Sequence, residues 1–217
     1  MTDLLTRLRN LETSCLCDAK KTLRTLDPAI RPIVPGLTMA GRAFTVPHGD
    51  DFLCVLLALR DASPGDVLVV DGRTARLALA GGLFSTEARR KGLAGLVIDG
   101  PVRDVATIRA IQFPVYARTM TPMAGIPATR FGGQAPIACG GVTIAPGDVV
   151  MGDDDGVVVA SEQELREMLA AAEEIHRNER AALGRMAAGD SLLSMLNVDE
   201  HLAAIAAGRP SRLRFLA

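Results

Sequence analysis

Leucine recurs at helical spacing from Leu4 to Leu11, so the chain is expected to open with a short helix. A second helix is expected to begin near Thr13–Ser14 and to run to about Leu26. From Asp27 to Pro47 the pattern is broken by Pro28, Pro32, Pro35, Gly36 and Pro47, and only GRAFTV, Gly41–Val46, reads as a strand. Phe52–Arg60, FLCVLLALR, is apolar almost throughout and predicts a buried helix ending at the Pro64–Gly65 turn. PGDVLVVDG then reads as a strand held between turn residues.

A helix-compatible segment follows Gly81–Gly82 and stops at Gly92. The β-branched, apolar run Leu93–Ile98 predicts a buried strand that feeds the turn DGPVRD, Asp99–Asp104. Beyond it come a helix at Val105–Gln112, a strand at Phe113–Arg118 and a glycine-rich β segment at Phe131–Ile144. PGDV recurs in PGDVVMGDDDGVVV, Pro146–Val159, as reuse of one turn chemistry rather than as a repeated fold unit. Ser161 and Glu164 form a capping box at the head of a long, polar-faced helix, and LLSMLNVDEHLAAIAAG adds a short one. Strands and helices alternating from Asp66 to Arg118 predict an α/β unit with some parallel pairing, followed by a β-rich addition.

At 217 residues, with 48% hydrophobic and 23% charged positions, the sequence is that of a globular protein, most simply one domain over 1–217. A net charge of −1 gives no electrostatic reason to expect nucleic acid or an anionic membrane as partner. Only 3% of residues are aromatic, with no Trp and one Tyr, so base-stacking platforms are not expected. No stretch approaches the roughly 20 apolar residues of a membrane span, and the N-terminus lacks an unbroken apolar region, so a cytoplasmic location is expected by default.

Cys15, Cys17, Cys54 and Cys139 are too few and too scattered for a disulfide framework or zinc site, and read as small buried hydrophobes. His48, His176 and His201 share no ligand spacing. The sequence holds no G-x-S-x-G, no Walker A and no well-formed G-x-G-x-x-G. Its three lysines, Lys20, Lys21 and Lys91, lie in charged helical contexts, not in the apolar pocket a Schiff base needs. Enolate chemistry would therefore need a divalent cation as electron sink. Asp153-Asp154-Asp155-Gly156 lacks the alternating ligands and distant Glu of an EF-hand loop and reads as a β-turn tip.

Chemistry concentrates in GGLFSTEARRKGLAGLVIDGPVRD, Gly81–Asp104. Two glycines before a helix leave backbone N–H groups of Gly82, Leu83 and Phe84 able to point at a carboxylate or phosphate. Asp99, Arg103 and Asp104 follow on the turn, and a fork-shaped cation beside a hard-metal ligand suits a 2-oxo acid, at once a carboxylate and a chelator. Spacing alone equally allows Arg103 and Asp104 to be a turn ion pair, Asp18 to be a solvated helix charge, and Glu87 to Lys91 to be a solvated helix face.

GDVLVVDG, the Gly81–Asp104 motif and CGGVTIAPGDVVMGDDDGVVV together resemble the family that joins 4-hydroxy-4-methyl-2-oxoglutarate aldolases with RraA-like regulators of ribonuclease activity. The likeness runs from about the first helix to Glu179. It implies an RraA-like swivelling β/β/α core with peripheral N- and C-terminal helices, homotrimers or homohexamers, and helices in 161–217 packed at a subunit interface. It further implies a lyase that uses Mg²⁺ or Mn²⁺ to cleave 4-hydroxy-2-oxo dicarboxylates to pyruvate, with oxaloacetate decarboxylation alongside. By position, Arg103 would bind the pyruvyl portion and steady its enolate oxygen, and Asp104 would hold the metal. The Gly81–Gly82 loop with the amides of Leu83 and Phe84 would take the substrate carboxylate, while Asp18 and Glu179 of an adjacent subunit would order water on the metal. The position after the first loop glycine is often acidic in the aldolases and is Gly82 here, so that water network is expected to be filled differently. A regulator without catalysis, binding a ribonuclease, is the alternative the same family allows.

Overall fold

The structure, a computed structural model, describes residues 2–47, 52–125, 127 and 133–216. The chain divides into two compact units, Met1–Ala172 and Glu173–Ala217. The first is organised by an eight-stranded sheet in the order β1 (Arg24–Thr25), β10 (Val157–Ala160), β9 (Val149–Gly152), β3 (Met39–Val46), β4 (Asp66–Val70), β5 (Gly95–Val102), β6 (Val115–Met120) and β2 (Arg31–Pro32). The four central strands, β3 to β6, are parallel, and the outer pairings are antiparallel.

Parallel neighbours need crossovers, and helices supply them: α3 (Phe52–Asp61), α4 (Gly82–Arg90) and α5 (Val105–Ile111) each join one central strand to the next. Side chains alternate along the strands, so Leu68, Val70, Leu96 and Ile98 pack against Val55, Leu59, Ala88 and Ile108 of those helices. Val67, Val69, Val97 and Tyr116 face the other way, onto Ile137, Cys139 and Ile144. Those three belong to a hairpin, β7 (Ile137–Cys139) and β8 (Val142–Ile144), which covers the second face of the sheet. Burial on both faces explains why these strands read as continuous apolar runs rather than alternating ones. Each fully buried Val, Leu or Ile contributes about 1.5–3 kcal/mol.

Two expectations are corrected. The second helix, α2 (Thr13–Ala19), follows α1 (Thr2–Leu8) and stops well short of Leu26, because Lys20 is extended (φ −142°, ψ 96°) and the chain beyond it is needed as β1, paired with β10. The stretch Asp99–Val102 is not a turn but the end of β5, whose register against β6 shifts between Ile98 and Pro101. That irregularity accommodates a proline that has no N–H to give the ladder. His48 and the first two residues of the expected glycine-rich segment, 131–132, lie outside the described residues.

The aspartate tip of the β9–β10 hairpin is wired to its own chain. Asp153 accepts both the N–H (2.7 Å) and the hydroxyl (2.8 Å) of Thr13, closing the head of α2, and Asp154 accepts the Gly36 N–H at 2.8 Å. The capping box forms as read: Ser161 N–H donates to Glu164 Oε2 (2.9 Å) and Glu164 N–H to Ser161 Oγ (3.2 Å), opening α6 (Glu162–Ala187). Cys15, Cys54 and Cys139 are buried, and burial pushes the thiols of Cys17 and Cys139 up, away from the thiolate.

The second unit holds the end of α6, a 3-10 turn at Leu192–Met195 and α7 (Val198–Ala206). Asn197 fastens the tail in this unit, its Oδ1 accepting the Arg214 N–H at 2.8 Å, and His201 Nδ1 lies 2.9 Å from Ser211 Oγ. No helix among the described residues is long and apolar enough to cross a membrane.

Candidate active site

Beyond β4 the chain runs out and returns extended over Ala78–Ala80, beside the end of β5. Leu79 N–H donates to Pro101 O and Arg103 N–H to Ala80 O, each at 3.0 Å, and Ala78 N–H to Met123 O at 2.8 Å. This ribbon delivers Gly81 and the head of α4 to the turn that ends β5, where Arg103 and Asp104 stand. The junction lies outside the carboxyl end of a parallel strand, where open α/β sheets place ligands.

The approach is close enough to require both glycines. A Cβ on Gly81 would lie 2.6 Å from Asp104 Oδ2 and 2.9 Å from Arg103 Cγ. One on Gly82 would lie 2.7 Å from Thr107 Cγ2 and 2.9 Å from Thr107 Cβ. Thr107, on the first turn of α5, therefore occupies the space in which a side chain at 82 would begin.

Asp104 precedes α5 in the left-handed conformation (φ 56°, ψ 39°); its carbonyl accepts the Ile108 N–H at 3.0 Å, but its side chain makes no capping hydrogen bond to its own helix. Its Oδ2 instead accepts the Gly82 N–H at 3.2 Å, across to the head of α4. The amides of Leu83 and Phe84, one and two residues further into that helix, have no acceptor within it. Arg103 Nε stands 3.6 Å from the same Oδ2, with the two side chains 41% and 44% exposed. This is a loose, solvated pair of little intrinsic stability. The guanidinium makes no hydrogen bond among the described residues, so its fork is available to an incoming anion.

Arg103, Asp104, Gly81, Leu83 and Phe84 line a cleft of about 240 Å³ together with Phe52, Ala78, Leu79, Ala80 and Ala124. That is below the roughly 300–1,000 Å³ of sites for drug-sized ligands and fits a small organic acid. Among the described residues no three His, Cys, Asp or Glu side chains are grouped to hold an ion. A cation here would rest on Asp104, with oxygens of water and substrate completing its shell. Mg²⁺, which keeps several waters and takes one or two carboxylates, is suited by such a donor set.

The other residues singled out in the sequence lie elsewhere. Asp99 is fully buried: Arg118 donates to its Oδ1 and the Gly140 N–H to its Oδ2 at 2.6 Å, so it ties β5 to β6 and to the β7–β8 hairpin and is not a ligand. Asp18 sits on α2 in an ion pair with Lys21, outside the lining of the cleft. Glu179 is carried on α6 in the second unit. Lys20 pairs with Glu164, and Lys91 donates to Arg60 O, so the lysines hold helices in place. Sequence reasoning missed Phe52, the three alanines and Thr107. From the sequence alone Phe52 reads only as part of a buried helix.

Fold and cleft define an α/β protein with a small cleft at the end of its parallel strands. The chain belongs to the RraA-like family, whose model, described as Aldolase/RraA, matches residues 13–159. A Halalkalibacterium halodurans protein provisionally named 4-hydroxy-4-methyl-2-oxoglutarate aldolase is 37% identical over 182 residues, covering 82% of this chain and 86% of its own. A crystal structure of a Pseudomonas syringae protein of unassigned function superposes with a TM-score of 0.80 at 26% identity, covering 89% of this chain and 96% of its own. Streptomyces coelicolor RraAS2, titled an unusual member of the RNase ES inhibitor RraA family, superposes with a TM-score of 0.72 at 27% identity, over 83% of this chain and 95% of its own.

Proposed function

We propose that the chain is a lyase that breaks the C3–C4 bond of a 4-hydroxy-2-oxo acid to release pyruvate, and decarboxylates oxaloacetate by the same route. The observation that carries this reading is the convergence of Arg103, Asp104, Leu83 and Phe84 on one small cleft, the last two at a helix head where their amides have no acceptor within the helix. The amides and the helix dipole hold the C1 carboxylate. The Arg103 fork steadies the oxygen at C2 as it gains charge, an interaction stronger in the transition state than in the ground state. Asp104 fits the role of ligand to Mg²⁺ or Mn²⁺, and such an ion, when bound, supplies an electron sink for the pyruvate enolate. Removal of the C4-hydroxyl proton is assigned to water ordered by acids of an adjacent subunit, Asp18 and Glu179, in a cytoplasmic homotrimer or homohexamer. In that assembly the helices of 161–217 pack between subunits.

The regulator reading draws on one observation, the likeness to a member of the RNase ES inhibitor family. Pyruvate release from oxaloacetate and from 4-hydroxy-4-methyl-2-oxoglutarate, measured with Mg²⁺ and then with EDTA, separates the two. Turnover that is abolished by EDTA and by Arg103→Ala supports the lyase. No turnover of either substrate, nor of a 4-hydroxy-2-oxo monocarboxylate, leaves the regulator.

A further inference from the structure

Among the described residues that line the cleft, Arg103 and Asp104 carry the polar side chains and the other side chains are hydrocarbon. Phe52, Phe84 and Leu83 stand against Ala78, Ala80 and Ala124, and among the described residues Arg103 is the cation of this lining. The rings of Phe52 and Phe84 meet edge to face with centroids 6.0 Å apart, fixing that wall. Leu83 is 81% exposed on the first turn of α4 and lines the same cleft, so its side chain extends the apolar wall outward.

A 2-oxo acid seated on Arg103, Asp104 and the α4 amides has its C1 and C2 oxygens satisfied there. Its C4 substituent, the part that leaves as an aldehyde or ketone, is left to the remaining wall. A second carboxylate brought there would give up water against phenyl, leucine and alanine carbons, whereas an alkyl group would gain by the same burial. Resting on the retro-aldol reading above, we propose that the substrate is a monocarboxylate: a 4-hydroxy-2-oxo acid with a branched alkyl or aryl group at C4. The dicarboxylate expected from the family is the poorer fit at its far end. In the step itself the C4 hydroxyl loses its proton and the C3–C4 bond breaks. Its electron pair passes into the pyruvate enolate, a proton returns to C3, and C4 departs as the carbonyl carbon.

The test compares two substrates of nearly equal shape. In 4-hydroxy-5-methyl-2-oxohexanoate an isopropyl group stands where 4-hydroxy-2-oxoglutarate has a carboxylate, and cleavage gives pyruvate with 2-methylpropanal or with glyoxylate. Pyruvate formation is followed by proton NMR. The expected result is a kcat/KM at least about tenfold higher for the isopropyl compound. Leu83→Arg, which keeps the backbone amide and alters only an exposed side chain, is expected to reduce or invert that ratio. Preference of the wild-type protein for the dicarboxylate, or a ratio unmoved by Leu83→Arg, overturns the proposal while leaving the retro-aldol reading intact. Turnover of neither compound, nor of 4-hydroxy-4-methyl-2-oxoglutarate, removes the retro-aldol reading and this proposal with it.

Discussion

Asp104 Oδ2 accepts the N–H of Gly82 over 3.2 Å, so an aspartate at the head of one helix closes the head of its neighbour. The same oxygen is 3.6 Å from Arg103 Nε. One carboxylate thus sets the distance between the arginine and the two open amides that would share a substrate.

Asp104→Asn is expected to keep the fold, because asparagine tolerates the left-handed backbone that residue 104 adopts (φ 56°). Loss of the negative charge should raise the Mg²⁺ concentration giving half-maximal pyruvate release by about 10–100-fold. Metal titration of the rate, with a melting curve as control, checks this. A variant with unchanged metal dependence removes Asp104 as ligand.

Arg103→Ala is expected to lower kcat for pyruvate release by about 10²–10³-fold, the usual loss when a group aimed at a developing oxyanion is removed. Its half-exposed side chain carries little stability, so the melting temperature should stay close to that of the parent. A fall in melting temperature that matches the loss of rate would instead make the arginine part of the scaffold.

Gly82→Ala should destabilise by about 1–3 kcal/mol, since its Cβ meets Thr107. Thr107→Ser deletes the Cγ2 that lies 2.7 Å from that Cβ and should restore part of the loss. Urea denaturation of both variants measures the coupling, which is absent if the two changes simply add.

Asp99→Ala removes a buried acceptor from Arg118 and from the Gly140 N–H, and about 3–5 kcal/mol of stability is expected to go with it. Equilibrium unfolding of the variant reads this loss directly. A loss below about 1 kcal/mol would show that water replaces the carboxylate there.

Acid should loosen the start of α6. The Lys20 ammonium, with the Ser161 N–H, holds the Glu164 carboxyl well below the usual range, at about 2. A carboxyl depressed in the folded state contributes stability above its unfolded pKa and loses it as pH falls towards the folded value. Stability should therefore decline from about pH 4.5 to 2, and Glu164→Gln should flatten that part of the profile while lowering stability at pH 7. Urea midpoints across this range test it.

The elements that carry the cleft were readable because their causes are local. The double glycine before α4, the apolar run of β5 and the Arg103–Asp104 pair lie within one stretch of sequence. The Ser161–Glu164 box marked the head of α6 for the same reason. What was misread depended on distant partners. Gly100-Pro101 looks like a turn in isolation, and only the register shift against β6 lets the strand run through it. Nothing near Lys20 announces that the following residues are required as a strand beside Val158 and Val159. The apolar wall stayed hidden because Phe52 and Ala124 reach it from opposite sides of the motif. Asp99 groups with Arg103 and Asp104 in the sequence because a sequence does not show that Arg118 and Gly140 already claim it.

The contact between Gly82 and Asp104 spans 22 positions, a loop whose closure costs about 3 kcal/mol. Pairing Arg24 with Val159 joins opposite ends of the first unit and constrains far more chain. The seat is therefore expected to assemble early in refolding, with the antiparallel edge zipping on afterwards. Substitutions along that edge would then speed unfolding more than they slow folding.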